Sequence, residues 1–524
     1  MSLPTRLWSR RWLRVLTWIL ITLVTLWVLL AVVLKWTGQR RWQRLTQELE
    51  SKNETLDFVK LQPPPVPNDQ NLAAIDALNG IRLGPGDTPE AKAAETKRKR
   101  IEDAESLFRS AASQATQTIV PRGDPLGKAL PPSIPDIIGQ LEVSKLQLTK
   151  ESDAAALRQA IEKHAPFITE ITQAALTRTE VDYLPRWDQT PLPQPLFALP
   201  IPYCTTTNAL GRLLQLHGIA CAESGDPEAA TADVVTLLRL AEGHLKEPLL
   251  ICHLVGMVLH QNAASLTWLL LQKRALSDTQ LRSLQTAFSR LEMPASLLQA
   301  MRGEMAFGAD MAAHLEKNAA AYAMLKNMTE NFRQSPFEAV FVKMIPSGFF
   351  THAKVSLVQA EWDHLVHPLQ HQSFKTALQS PGQAEDWLKS ISLLKRPDLL
   401  LAKMALPAVS QVKLSSALAE NTRRQALLAC ALERHFIQHG IYPASLDALE
   451  PVTLAGATKT AFDESPMHYL ASTDGRYRLW HNGPDGKDDG GAVAKEKKSP
   501  GSSPSPRDPQ YLGDWTWRYE PLKE

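Results

Sequence analysis

The chain has 524 residues, 44% of them hydrophobic, and a formal net charge of +2 at pH 7. That composition is enough for real cores, while the near-neutral balance supplies no global field to select nucleic acid or acidic partners. Cys204, Cys221, Cys252 and Cys430 show no metal-ligand or disulfide-framework spacing and read as core thiols.

Residues 1–14 form a basic tail ahead of the first strong signal. Residues 15–34 contain no charge and only three threonines, and as a helix they rise about 30 Å, the thickness of a hydrocarbon layer. No small-x-small cleavage site follows Leu34, so the reading is an uncleaved transmembrane helix rather than a signal peptide. Arg6, Arg10, Arg11 and Arg14 precede the span and Lys35, Arg40, Arg41 and Arg44 follow it, which leaves the positive-inside rule undecided. A second apolar run, 249–259, is short for a span. His260, Gln261 and Asn262 interrupt it before 266–271 resumes, and it reads as a buried core helix.

Residues 35–72 are expected to leave the membrane as a helix over 42–58 and end in a stiff polyproline spacer at 63–67, about 15 Å long. Thr88-Pro89-Glu90 has a capping hydroxyl, a first-turn proline and an early acid, and opens a helix through Ala115. Within it Lys97-Arg98-Lys99-Arg100 is followed by Glu102, Asp103 and Glu105, which reads as a solvated face rather than a nucleic-acid patch. Residues 73–400 make a helical body, with periodicity predicting helices over 154–171, 206–223, 226–243, 248–272, 277–291 and 294–324. Gly218, Gly225, Asp226 and Ala230 are placed like the small residues and turn of one tetratricopeptide repeat. No second copy follows at that period, so the expectation is a generic helical hairpin. Residues 335–404 support no element assignment, and Pro407 is expected to precede the long helix that leads to the tail.

Residues 410–524 read as a small α+β unit. Leu427, Leu428, Ala431, Leu432 and Phe436 make one apolar helix face, Gly440 suits the C-cap and Pro443 forbids continuation. Alternating runs flank Asp474-Gly475, a dipeptide suited to a two-residue hairpin turn, and Trp515, Trp517 and Tyr519 alternate as a third strand. Residues 492–509, rich in Lys, Ser and Pro, read as a flexible insertion.

The strings ACALERHFIQHGIYPASLDALEP, MHYLASTDGRYRLWHNGPDGKDDGG and GDWTWRY resemble the C-terminal part of the type II secretion major pseudopilin. The resemblance covers residues 421–519 and implies an extracytoplasmic, non-catalytic module. It also implies calcium in the loop after GPDG, where Asp485, Asp488 and Asp489 are the candidate metal residues. Calcium takes six to eight oxygens in flexible geometry, so three closely spaced carboxylates with loop carbonyls suit it. The sequence departs from the family by placing its Asp pair before Gly490-Gly491 and by inserting a Lys-rich stretch ahead of Asp514. Its apolar segment also lies far upstream, without the peptidase signature of a pilin, so the chain is not a pilin subunit. As a whole, through LDFVKLQPPPVPNDQN, the central helices and the tail, it resembles a type of large single-pass envelope protein of diderm bacteria with no assigned activity. That likeness implies architecture only.

No G-x-S-x-G, H-E-x-x-H, phosphate loop or C-x-x-C occurs, and no catalytic or cofactor-binding residue is assigned. Glu361, Asp363, His364, His367 and His371 are the best enzyme hint, but Pro368 would break the helix needed to align His371. His253 and His260 share a face with Met257 and read as satisfied core histidines. The expected fold is mostly α: an N-terminal transmembrane helix, an extracytoplasmic helical body and a small C-terminal α+β pseudopilin-like module. The expected protein is a single-pass scaffold of the inner membrane, with most of the chain in the periplasm. Its partners would be the membrane and other envelope proteins, with no nucleic acid and no small-molecule substrate identified. The alternatives are an accessory component of a type II secretion-like assembly and a metal-dependent envelope enzyme.

Overall fold

The computed structural model describes residues 5–118, 133–183, 195–317, 345–370, 374, 387, 390–392, 395–449, 456–472, 475–482, 487–491 and 514–519. It is mostly helical. Helix α1, Thr5–Ser51, is unbroken, yet it serves two surroundings. Its large apolar side chains between Trp12 and Val33 are exposed, Leu20 at 61%, whereas Leu45 and Leu49 are 4% and 1% exposed. The outer length is long and apolar enough to cross a membrane. Its three threonines are already satisfied: Thr17, Thr22 and Thr25 donate to the carbonyls of Leu13, Trp18 and Ile21 in the preceding turn.

Beyond α1 the principal helices are α2 (Pro89–Thr118), α3 (Ala154–His164), α4 (Phe167–Thr177), α5 (Pro202–Glu223), α6 (Pro227–Leu245), α7 (Leu250–Gln272), α8 (Asp278–Ser289), α9 (Met293–Lys317), α10 (Ser347–Glu361) and α11 (Leu400–His439). Their starts obey local chemistry. Thr88 Oγ1 accepts the Ala91 N–H at 3.2 Å, Asp226 accepts that of Ala229 at 3.0 Å, and Ser277 forms a reciprocal capping box with Gln280. The single helix expected over 154–171 is two, because Pro166 cannot continue α3 and instead caps α4.

The body docks on α1 where the apolar run stops. Gly348 of α10 lies so close to Leu34 and Lys35 that a methyl group there would collide with their backbone. Thr37 Oγ1 and Arg41 then reach the two ring nitrogens of His352 on α10, each at 3.0 Å. The helix expected over 42–58 ends instead at Ser51, and Asn53 takes a positive φ of 60°. The proline run 63–67 is not a free spacer. Phe58 and Leu61 before it pack with Leu196, Leu199 and Ala306, and Asn71 after it bridges Glu180. It is a strap tied to the body at both ends.

The basic run in α2 is likewise not a uniformly solvated face. Arg98 is buried and donates to the Ile81 and Leu83 carbonyls at 3.2 and 2.6 Å, while Lys97 pairs with Asp76. Helices α5 and α6 form the expected hairpin, turning at Gly225 with φ 81°. Gly211 and Gly218, two turns apart on α5, lie against Leu259 and Leu266 of α7, and a methyl at either position would collide with them. Helix α7 is thereby a core element.

Helix α10 passes into a π-helical turn, Trp362–Val366, before His367–Leu369. Pro368 has no N–H to offer the His364 carbonyl four residues back, and the Lys413 ammonium of α11 donates to that carbonyl instead. Pro407 lies inside α11 rather than ahead of it. Helix α11 packs on α7 and α8 and ends at Gly440, with φ 74°. Behind it stands an antiparallel meander, β1 (His468–Ala471), β2 (Tyr477–His481) and β3 (Trp515–Tyr519), in that order. Ser472 N–H donates to the Arg476 carbonyl at 2.8 Å between β1 and β2, while Asp474 of the expected two-residue turn lies outside the described residues. Leu479 faces Trp517 across β2 and β3, both fully buried, and they belong to the same continuous core as α5 to α8. The tail therefore shares its helix and core with the body.

Candidate functional site

The tail loop comes first, since the sequence placed metal residues there. Asp485 lies outside the described residues. Asp488 Oδ1 accepts the Trp480 indole N–H at 2.9 Å and the Gly490 N–H at 2.8 Å, with His468 Nδ1 3.6 Å from its other oxygen. The indole and then the amide hold this carboxyl below the usual carboxylate range. Asp514, fully buried at the start of β3, closes the loop: its Oδ2 accepts the N–H groups of Asp489 and Gly491, each at 2.8 Å. Its Oδ1 is buried with no hydrogen-bond partner among the described residues. Burial, opposed by those amides and reinforced by the charges of Asp488 and Asp489, pushes the Asp514 carboxyl up. The set offers hard oxygen donors, which fit calcium rather than a soft metal. Asp514 is the member that sequence reasoning passed over, because the insertion ahead of it hides its return to the loop.

The histidine run does not converge. His364 packs on Trp387 at 4.8 Å between ring centroids and His367 on Trp362 at 5.6 Å, while His371 lies outside the described residues. Glu361 is buried, and burial followed by the charge of Glu304 holds its carboxyl well above the usual range. The other pair splits. His253 meets Ser296 Oγ and Ser416 Oγ, each at 2.7 Å. His260 instead sets its ring edge against Phe288 and has no partner for either nitrogen among the described residues, contrary to the expected satisfied pair. Burial lowers both imidazoles to about 3, so both are neutral.

A polar seam, buried at His217 and Asp233, runs between α3, α5 and α6. His217 Nδ1 lies 2.7 Å from Asp233 Oδ2, and its Nε2 lies 3.4 Å from Glu162. Arg158 joins Glu162 to Asp226 at 2.7 and 2.8 Å. Burial works against the charged ring, but the Asp233 carboxylate outweighs it and His217 is pushed up to about 11. Cys221 Sγ sits 3.6 and 3.8 Å from the two ring nitrogens. A sulfur almost equidistant from both nitrogens lies over the ring, not along a lone pair, so this trio is not poised to abstract the thiol proton. At the other end of the seam Cys204, His244 and Cys252 come together, fully out of solvent or nearly so. Their ligand atoms come from three different helices, so no local spacing announces them.

The chain matches no family model, no curated protein and no solved structure.

Proposed function

We propose that this chain is a single-pass scaffold of the cell envelope, anchored in the inner membrane with its body in the periplasm, and that it works by contact rather than catalysis. The observation that carries the reading is the continuity of α1. One helix runs from a bare apolar length into the core, and α10 grips it at Leu34 and Lys35, where the apolar run ends. A scaffold needs its contact surfaces held at a fixed height and angle, and this attachment supplies both. The pseudopilin-like tail supports the periplasmic side, since modules of that kind work outside the cytoplasm.

A phosphatase fused after Glu524 is expected to be active, and a reporter that works only in the cytoplasm to be silent there. The reverse pair would place the body in the cytoplasm. Crosslinking in membranes followed by pull-down is expected to recover other envelope proteins. Recovery of secretion-machine components in particular would identify the accessory role in a type II secretion-like assembly.

Calcium in the tail loop is a second part of this reading, favoured by the unpartnered buried Oδ1 of Asp514 beside Asp488 and Asp489. An ion bound only by the folded state stabilises it by about 2.7 kcal/mol at a hundredfold excess over Kd. Millimolar calcium should therefore raise the Tm of the full-length protein, magnesium less, and Asp488→Asn with Asp514→Asn should abolish the shift. An unchanged Tm would leave a loop closed only by its own amides.

A further inference from the structure

We propose that Cys204, Cys252 and His244 bind one zinc ion, as a staple joining the start of α5, the end of α6 and the start of α7. The ligand atoms of the two cysteines and His244 all lie within 4.8 Å of one another. The two sulfurs are 3.6 Å apart. A disulfide requires about 2.05 Å. Thiolates sharing a tetrahedral zinc at about 2.3 Å stand about 3.8 Å apart, the edge of that tetrahedron. The sulfurs are therefore spaced for a shared ion rather than for a bond to each other.

The surroundings prepare the imidazole. Thr207 Oγ1 donates its hydrogen to the Tyr203 carbonyl at 2.8 Å and lies 2.7 Å from His244 Nε2. With its hydrogen committed, the hydroxyl accepts from Nε2–H, which fixes the tautomer and leaves Nδ1 with a free lone pair. Nδ1 is buried and has no hydrogen-bond partner among the described residues. An outer partner that fixes the ring in this way accompanies almost every metal-ligating histidine.

Glu247 stands behind Cys252. Its Oε2 accepts from Tyr203 Oη at 2.5 Å and from Cys252 Sγ–H at 3.0 Å. The rings of Tyr183 and Tyr203 stack on His244 at 4.8 and 5.7 Å, and the Tyr183 hydroxyl is buried with no partner among the described residues. Two thiols and an imidazole make a donor set suited to zinc. On binding, each thiol gives up one proton to solvent, two sulfur–zinc bonds form and no electron moves.

The test uses full-length protein in detergent, reduced and stripped by a chelator, then titrated with cobalt(II) and with zinc. Wild type should bind one ion per chain and show the intense thiolate-to-cobalt absorption of a tetrahedral sulfur site. Cys204→Ser, Cys252→Ser and His244→Gln should each lose it, whereas Cys430→Ser should keep it. Thr207→Val, nearly equal in volume, should weaken zinc binding by roughly ten- to a hundredfold with the helical signal unchanged. If the cysteine variants fail to fold, the wild-type spectrum and the Thr207 variant decide. Absence of thiolate–cobalt absorption in reduced wild type would overturn the site, as would zinc held equally well by the double cysteine variant. A Cys204–Cys252 disulfide in protein purified without reductant, with no cobalt uptake after reduction, would overturn it in favour of a redox pair.

Discussion

The outer length of α1 and helix α7 are both long and apolar enough to span a bilayer, yet the protein treats them oppositely. Leu20 on α1 is 61% exposed, while Leu259, Leu266 and Leu270 on α7 are fully buried. The polar residues explain the difference. Those on the outer length of α1 are threonines that bond their own helix and ask nothing of a neighbour. Helix α7 carries His253, which needs Ser296 and Ser416 from other helices, and its leucines need Gly211 and Gly218 on α5 to receive them. Hydrophobicity measures how much a helix wishes to leave water; the polar minority tells where it goes.

The strongest way to break this contrast is to remove one member. A chain lacking residues 1–34 should leave the membrane fraction completely on alkaline carbonate extraction. If it stays integral, α7 is a span after all. Next in size is a single charge. Leu266→Lys buries an ammonium against Gly218 and should cost more than about 4 kcal/mol, unfolding the body by circular dichroism. Leu20→Lys should leave that fold intact and oppose insertion by about 2.5–3.5 kcal/mol, read as lost membrane fraction. Similar effects of the two charges on the fold would erase the distinction.

Gly348→Ala sharpens the comparison at the junction. The added methyl meets the Leu34 and Lys35 backbone, and overpacking of this kind costs about 1–3 kcal/mol. The expected result is a lower Tm and faster proteolysis at the α1–α10 contact, with the membrane fraction unchanged.

The smallest effect is titration, which α7 feels and the span does not. On that helix His253 and His260 are held near 3 by burial. An unfolded histidine takes up its proton near pH 6.5, so the stability these rings contribute is complete above that and is lost as pH falls toward 3. The Tm should therefore drop between pH 6.5 and 4, and His260→Leu should flatten the slope. His217 runs the other way, being held at about 11. Its contribution is complete below about pH 6.5 and fades as pH rises toward 11, so the deficit of His217→Gln should shrink between pH 6 and pH 9.

What could be read from the sequence divides by range. The long apolar N-terminal helix, the caps at Thr88, Asp226 and Ser277, the Gly440 stop and the aromatic third strand are local signals, and each appears in the structure. Pro166 was local as well and was overridden by the apolar period on either side of it. The proline strap needed Leu61, Asn71 and their distant partners to be seen at once. So did Cys204, His244 and Cys252, and so did Asp514, which meets Asp489 and Gly491 across a long insertion. The tail motif suggested a detachable unit, but Arg434 bonds Asp278 and Gln285 of α8, and Val412 to Leu432 lie in the common core.

The unbroken run of α1 has a mechanical consequence. Helices in bilayers tilt by about 20° on average, and the angle follows the match between apolar length and lipid thickness. A domain on a slack linker ignores that angle. Here no joint separates the exposed apolar turns from Leu45 and Leu49 in the core, so in the anchored protein we propose, a thinner bilayer that leans the helix would also lean everything attached to it. Such a protein would be like a flag fixed rigidly to its mast, with bilayer thickness setting which way its surfaces point.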